Sequence, residues 1–213
     1  GVKSEPERNL TTGAYIVKLT PLHDRVSFVV SLAKRWADLR YRPRDAKKIA
    51  LILANYPNRD GRIANGVGLD TPQSVFEMMH ELKQAGYETG PLPATSADLI
   101  EALKKGPTNQ GWQGRVTSIS LPDDIYQREF AKLPAEVQSA VTKRWGAYHQ
   151  DPQFDGTAFQ LGLLSYGHLL VGIQPARGYN SDPKATYHAP DLVPPHYYFA
   201  FYIYLREVAQ IDA

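Results

Sequence analysis

The sequence predicts an α/β fold: a mostly parallel sheet flanked by helices, an amphipathic helix on its N-terminal side, and a long irregular loop before the C-terminal helix. Three observations predict it. An unbroken apolar run over 49–55 (IALILAN) has the length and composition of a strand buried on both faces. Strand and helix signals then alternate, which is βαβ logic with right-handed crossovers. A second apolar run, 168–173, leads into a stretch over 172–196 that packs two histidines, an arginine, a glutamine and several prolines and tyrosines together.

In chain order, residues 24–40 place Val26, Val29, Val30, Ala33, Trp36, Ala37 and Leu39 near helical spacing. The strand at 49–55 is followed by a turn-rich loop, 56–72. Asp70 or Thr71 caps the next helix, 73–85, with Pro72 at its start and Gly86 at its end. A short strand is expected over 87–92, a helix capped by Ser96 to Lys105, and a strand over 115–121. Helices over 123–132 and 134–145 follow, then a glycine-rich region (156–167), the 168–173 strand and an aromatic helix over 195–208. Residues 1–44 read as a connecting segment carrying the amphipathic helix, and 45–213 as an α/β domain. The missing initiator methionine, the polar first dozen residues and the apolar last helix suggest a piece of a longer chain.

Composition narrows the function. At 213 residues with 43% hydrophobic side chains, the chain can bury a proper core. A net charge of +2, with no basic tract interleaved with aromatics, argues against a nucleic-acid surface. No apolar run reaches membrane-spanning length. Cysteine is absent, so disulfides and thiolate chemistry are out, which fits a reducing cytoplasm.

Two loops carry polar chemistry. The first holds Gly66-Val-Gly68-Leu-Asp between a strand and a helix, but Thr71 stands where a dinucleotide fingerprint needs glycine, and no GxxxxGK[ST] pattern occurs. Its position at the carboxyl end of a strand still lets Asn55, Arg59, Arg62 and Asn65 face a cleft. In the second loop, His188 and His196 either ligate a divalent metal through neutral imidazole or pin the loop to backbone carbonyls. Arg177, between Gln174-Pro-Ala and Gly178-Tyr179, suits a bidentate carboxylate contact or a structural salt bridge. Tyr197, Tyr198, Tyr202 and Tyr204 suit core packing, or the lining of a pocket for a flat ligand.

The runs ALILANYPNRDGRIANGVGLDTPQSV and GIQPARGYNSDPKATYHAPDLVPPHYYFAFYIYLRE resemble the large-subunit family of cobaltochelatase and, more distantly, magnesium chelatase. The resemblance runs from about Ile49 onward and is least characteristic over 106–160. QPARGY, YHAPDL and PPH resemble the cobalt branch rather than the VQPTFGYEGDP and Pro-His-His of the magnesium branch.

The resemblance implies ATP-dependent insertion of Co²⁺ into a corrin-type ring, hydrogenobyrinic acid a,c-diamide, in cobalamin biosynthesis. Cobalt is then the substrate metal, and ATP is hydrolysed by one of two smaller partner subunits. The family's chain continues into a His-Gly-x-x-Glu-Trp-Leu-Pro-Gly-Lys motif where this sequence ends, so the segment alone is expected to be inactive and to bind no cofactor by itself. Within that implied function, His188 and His196 are the expected metal ligands or proton acceptors. Gln174, Arg177 and Tyr179 are the expected ring contacts, with Asn55, Arg62 and Asp70 behind them. The alternatives are a non-catalytic scaffold of the same subunit, or insertion of Mg²⁺ into protoporphyrin IX.

Overall fold

The computed structural model describes residues 2–55, 59–66, 68–179 and 191–212. They divide into two compact units, Gly1–Pro43 and Arg44–Ala213. In the first unit, β1 (Val2–Lys3) pairs with β4 (Leu19–Thr20) and β2 (Glu7–Arg8) with β3 (Tyr15–Ile16), both antiparallel. Helix α1 (His23–Tyr41) follows, with Asp24 in its first turn and Arg40 in its last, charges that complement the helix dipole. None of its residues is buried.

The second unit is built on a three-stranded mixed sheet. Its order is β5 (Ile49–Leu53), β9 (Leu169–Ile173), β8 (Leu163–Tyr166). β5 runs parallel to β9, and β8 pairs with β9 antiparallel through a tight turn between Tyr166 and Leu169. A separate antiparallel pair joins β6 (Ser120–Pro122) to β7 (Ala158–Gln160). The helices are α2 (Thr71–Gln84), α3 (Ser96–Lys105), α4 (Asp123–Phe130), α5 (Ala135–Trp145) and α6 (His196–Ile203), the last running into a π-helical turn, Tyr204–Val208.

Strand alternation divides the core in two. Leu169, Val171 and Ile173 of β9 pack with Met79 of α2 and with Leu99 and Leu103 of α3. Leu170 faces the other way, into a cluster with Leu121, Tyr126, Phe159, Tyr197 and Phe201. Every residue of β9 is buried, as its apolar sequence requires of a central strand. Gly172 is needed for the close approach of α6: a Cβ there would lie 2.4 Å from Leu163 Cδ2 and 3.3 Å from Phe201 Cζ.

The expectation of a mostly parallel sheet is corrected: among the described residues one ladder is parallel and the others are antiparallel. No strand forms over 87–92, where Gly90 takes φ +58° and Pro91 and Pro93 offer no N–H to a ladder. The expected 115–121 strand shrinks to Ser120–Pro122, and the glycine-rich region contains two strands instead of none. β5 lies at the sheet edge, and of its five residues only Leu53 is fully buried. Two helix starts, those of α2 and α3, are capped by side chains. Asp70 Oδ1 accepts from Gln73 N at 3.0 Å, and Thr95, one residue before the expected Ser96, caps α3 through Asp98 N at 3.1 Å.

Candidate functional site

β9 ends at Ile173, so the chain leaves the sheet at the carboxyl end of the parallel pair. Open α/β sheets place ligands at such an end. Gln174 N still donates to Leu53 O at 2.8 Å. Beyond it, side chains from other elements satisfy the backbone. Asn109, on a turn closed by Thr108 and Gly111, donates from Nδ2 to Gln174 O at 3.0 Å, and its Oδ1 accepts from Ala176 N at 3.0 Å. The Gln174 side chain accepts from Tyr202 OH of α6 at 2.9 Å. Arg177 is exposed.

The segment's far end is tied to Asp151. Tyr179 OH donates to Asp151 Oδ2, and its ring meets Trp145 edge-on at 5.5 Å. Asp151 is 5% exposed, and it also accepts from Tyr197 N and Gln153 N, each at 3.0 Å. Burial pushes the Asp151 carboxyl above its ordinary range while these donors pull against the shift. Burial, then the neighbouring Asp151 charge, holds the Tyr179 hydroxyl far up, so it stays protonated and remains a donor. Trp145 Nε1 donates to Val193 O at 2.8 Å, on the other side of the 180–190 stretch.

His196 is 2% exposed and uses both ring nitrogens. Nε2 lies 3.0 Å from Gly146 O, which can only accept, so Nε2 carries the proton. Nδ1 is therefore an acceptor, and Tyr126 OH donates to it at 2.5 Å. Burial lowers the His196 pKa, which keeps the ring neutral. With a folded value below the ordinary 6.5, its contribution to stability is present above 6.5 and is lost as pH falls through the folded value. His196→Gln keeps one donor and one acceptor, and is expected to show less loss of melting temperature than wild type between about pH 7.5 and about pH 5. Equal losses in the two proteins would remove His196 from the acid response.

The other sequence-predicted residues fall in different settings. His188 lies outside the described residues. Asn55 is buried and bridges to Ile63, Arg59 and Asn65 are exposed, Arg62 is exposed on the 3-10 turn Asp60–Arg62, and Asp70 serves α2 as its cap. The first loop is tied to the 108–115 turn region. Asp60 accepts from Thr108 Oγ1 at 2.7 Å and from Arg115 Nη2 at 2.6 Å, beside Asn109. Among the described residues, no cluster of three or more His, Cys, Asp or Glu is arranged to hold a metal ion.

Next to Tyr202, a cavity of about 300 Å³ opens between the end of α4 and α6. Leu133, Tyr198, Phe199 and Tyr202 line it, with Glu129 and Arg206 at its polar side. Bonds from Lys132 and Arg128, at 2.7 and 3.0 Å, hold the buried Glu129 carboxyl below its ordinary range. An aromatic groove with one carboxylate and one guanidinium at its polar side can hold a flat ring with an amide periphery. Asn109, Tyr126, Trp145 and Asp151 carried no sequence signal for this role. They lie in the least characteristic part of the chain, and their place becomes visible only when distant segments meet.

A family model described as CobN/Magnesium Chelatase matches residues 2–213. The aerobic cobaltochelatase subunit CobN of Pseudomonas aeruginosa is 48% identical over 192 residues, 89% of this chain and 15% of that protein. A magnesium-chelatase subunit of Rhodobacter capsulatus is 29% identical over 208 residues, 97% of this chain and 16% of that protein. Among solved structures, the catalytic subunit of cobaltochelatase from Mycobacterium tuberculosis aligns with a TM-score of 0.74 at 32% identity, covering 94% of this chain and 16% of that one. The chain thus spans about 15% of the length of the curated cobaltochelatase relatives it matches. No described helix is long and apolar enough to cross a membrane. With its whole described length matched by one family model, this chain belongs to the CobN/magnesium chelatase family.

Proposed function

We propose that this chain is part of the large subunit of an ATP-dependent cobalt chelatase, and that it forms one wall of the site where a corrin-type ring receives Co²⁺. The observation that carries the reading is the higher identity to a cobaltochelatase subunit than to a magnesium-chelatase subunit over nearly the whole chain, 48% against 29%. Two features of the fold support it. The QPARGY segment emerges at the carboxyl end of the parallel pair, and Gln174 is bonded to a tyrosine of the adjoining aromatic groove.

In this reading, Tyr198 and Tyr202 offer an aromatic wall to the macrocycle. Gln174 and Arg177 meet its amide and carboxylate edge, the guanidinium through paired N–H donors. Arg62 and Asn55 belong to the neighbouring loop, while Asp70 holds α2 in place. Inserting cobalt requires removing water from the ion and accepting the ring's N–H protons. His188 is retained as the proposed ligand or proton acceptor from this chain. His196, neutral and bonded at both nitrogens, favours a pinning role, and that observation also keeps the scaffold alternative in play. Two smaller partner subunits, one of them hydrolysing ATP, and a cytoplasmic setting belong to the same proposal.

The test is titration of the full-length subunit with metal-free hydrogenobyrinic acid a,c-diamide. Arg177→Ala is expected to weaken binding by about tenfold, the worth of one charge-assisted contact. Unchanged affinity in both Arg177→Ala and Gln174→Ala would leave the scaffold reading in its place.

A further inference from the structure

We propose that Asn109 and Asp151 are positioning residues, which hold the 174–179 segment in one conformation and so set where Gln174 and Arg177 meet substrate. The inference rests on the reading of that segment as part of the ring site, and it names the groups that regulate its geometry.

The physical need is plain. Past Gln174 the chain leaves the ladder, so its peptide groups lose strand partners and must find others. Asn109 supplies a donor to Gln174 O and an acceptor to Ala176 N, both at 3.0 Å. One side-chain amide thus imitates the pairing of an absent strand, on the two residues that flank Pro175. Arg177 is the next residue along, so the direction of its guanidinium starts from a backbone already fixed.

Asp151 works from the other end. Its Oδ2 accepts from Tyr179 OH, two residues past Arg177, and from Tyr197 N at the start of α6. Chain on both sides of the 180–190 stretch is therefore held to a single carboxylate oxygen. The two positioning residues are themselves joined: Gln153 donates its backbone N–H to Asp151 Oδ1 at 3.0 Å and its Nε2 to Thr108 O at 2.7 Å, beside Asn109. The segment carrying Arg177 thus sits in a frame anchored at Asn109, Tyr202 and Asp151.

Asp151 is buried, so the test uses milder changes in the full-length subunit with its partner subunits. Asn109→Ala and Tyr179→Phe are each expected to raise the Kd and KM for hydrogenobyrinic acid a,c-diamide by up to about tenfold. The melting temperature is expected to fall modestly, because each variant leaves a bonded partner unsatisfied, while kcat at saturating corrin is expected to change little. Adding Arg177→Ala to either variant should cost less than the product of the separate losses, because a guanidinium already misdirected cannot be lost twice.

If Asn109→Ala lowers the melting temperature into the assay range, Tyr179→Phe decides, since it removes only the hydroxyl that Asp151 already holds and keeps the ring against Trp145 and available for any contact of its own. Unchanged corrin affinity in both variants, with Arg177→Ala still weakening binding, overturns the positioning role and leaves the proposed function standing. Fully multiplicative losses overturn it as well. No effect from Arg177→Ala and Gln174→Ala together overturns both.

Discussion

Replacing Phe201 with alanine is expected to lower the unfolding free energy of the chain by about 3–5 kcal/mol. Phe201 is fully buried in α6, and its Cζ would lie 3.3 Å from a Cβ on Gly172 in the central strand. The ring therefore fills space that the glycine leaves open, between the sheet and the helix that follows the candidate loop. Cutting it back removes its apolar contacts and leaves a cavity that β9, paired on both edges, cannot move to close. The urea midpoint of unfolding checks this. A loss under about 1 kcal/mol would mean that the sheet and α6 can collapse onto each other, and that Gly172 is not a packing requirement.

Asp151→Ala is expected to cost about 3 kcal/mol. Three donors converge on this carboxylate: Tyr179 OH, Gln153 N and Tyr197 N. Each buried donor left without an acceptor costs about 1–3 kcal/mol, so a simple sum reaches well beyond the stated value. The expected figure stays at the low end of that sum because the substitution also removes a carboxyl whose charged form burial disfavours. Asp151→Asn keeps one carbonyl acceptor and is expected to cost roughly half as much. Equilibrium unfolding of the two variants side by side checks the order. If Asn proves as costly as Ala, the carboxylate charge matters more than the number of acceptors.

Phe201 and Asp151 differ in how much of their role the sequence carries. Phe201 stands in an apolar helix, and its burial could be read from its neighbours. Asp151 stands in a polar turn, His149-Gln-Asp-Pro, which looks like any surface loop. Its importance comes from Tyr179 and Tyr197, both more than twenty residues away in sequence and brought to it only by folding.

His196 shows the same division. The choice between metal ligand and loop pin was open in the sequence, because imidazole serves either. The neighbouring Tyr126 and the Gly146 carbonyl occupy both nitrogens, an arrangement that no local pattern around Pro194-Pro195-His196 encodes.

By itself the sequence determined the local elements: the two strands of the parallel pair, the caps of α2, the aromatic helix α6, and a family resemblance carried by two long motifs. These follow from periodicity, capping chemistry and residue type, which act over a few positions along the chain. Only the tertiary structure decided the mixed sheet, in which β9 takes β8 as its antiparallel neighbour, and the frame of Asn109, Asp151 and Tyr126 around the candidate loop. Strand pairing and buried hydrogen bonds are choices among distant partners. They are settled by which arrangement buries β9 on both faces and leaves the fewest polar groups unpaired.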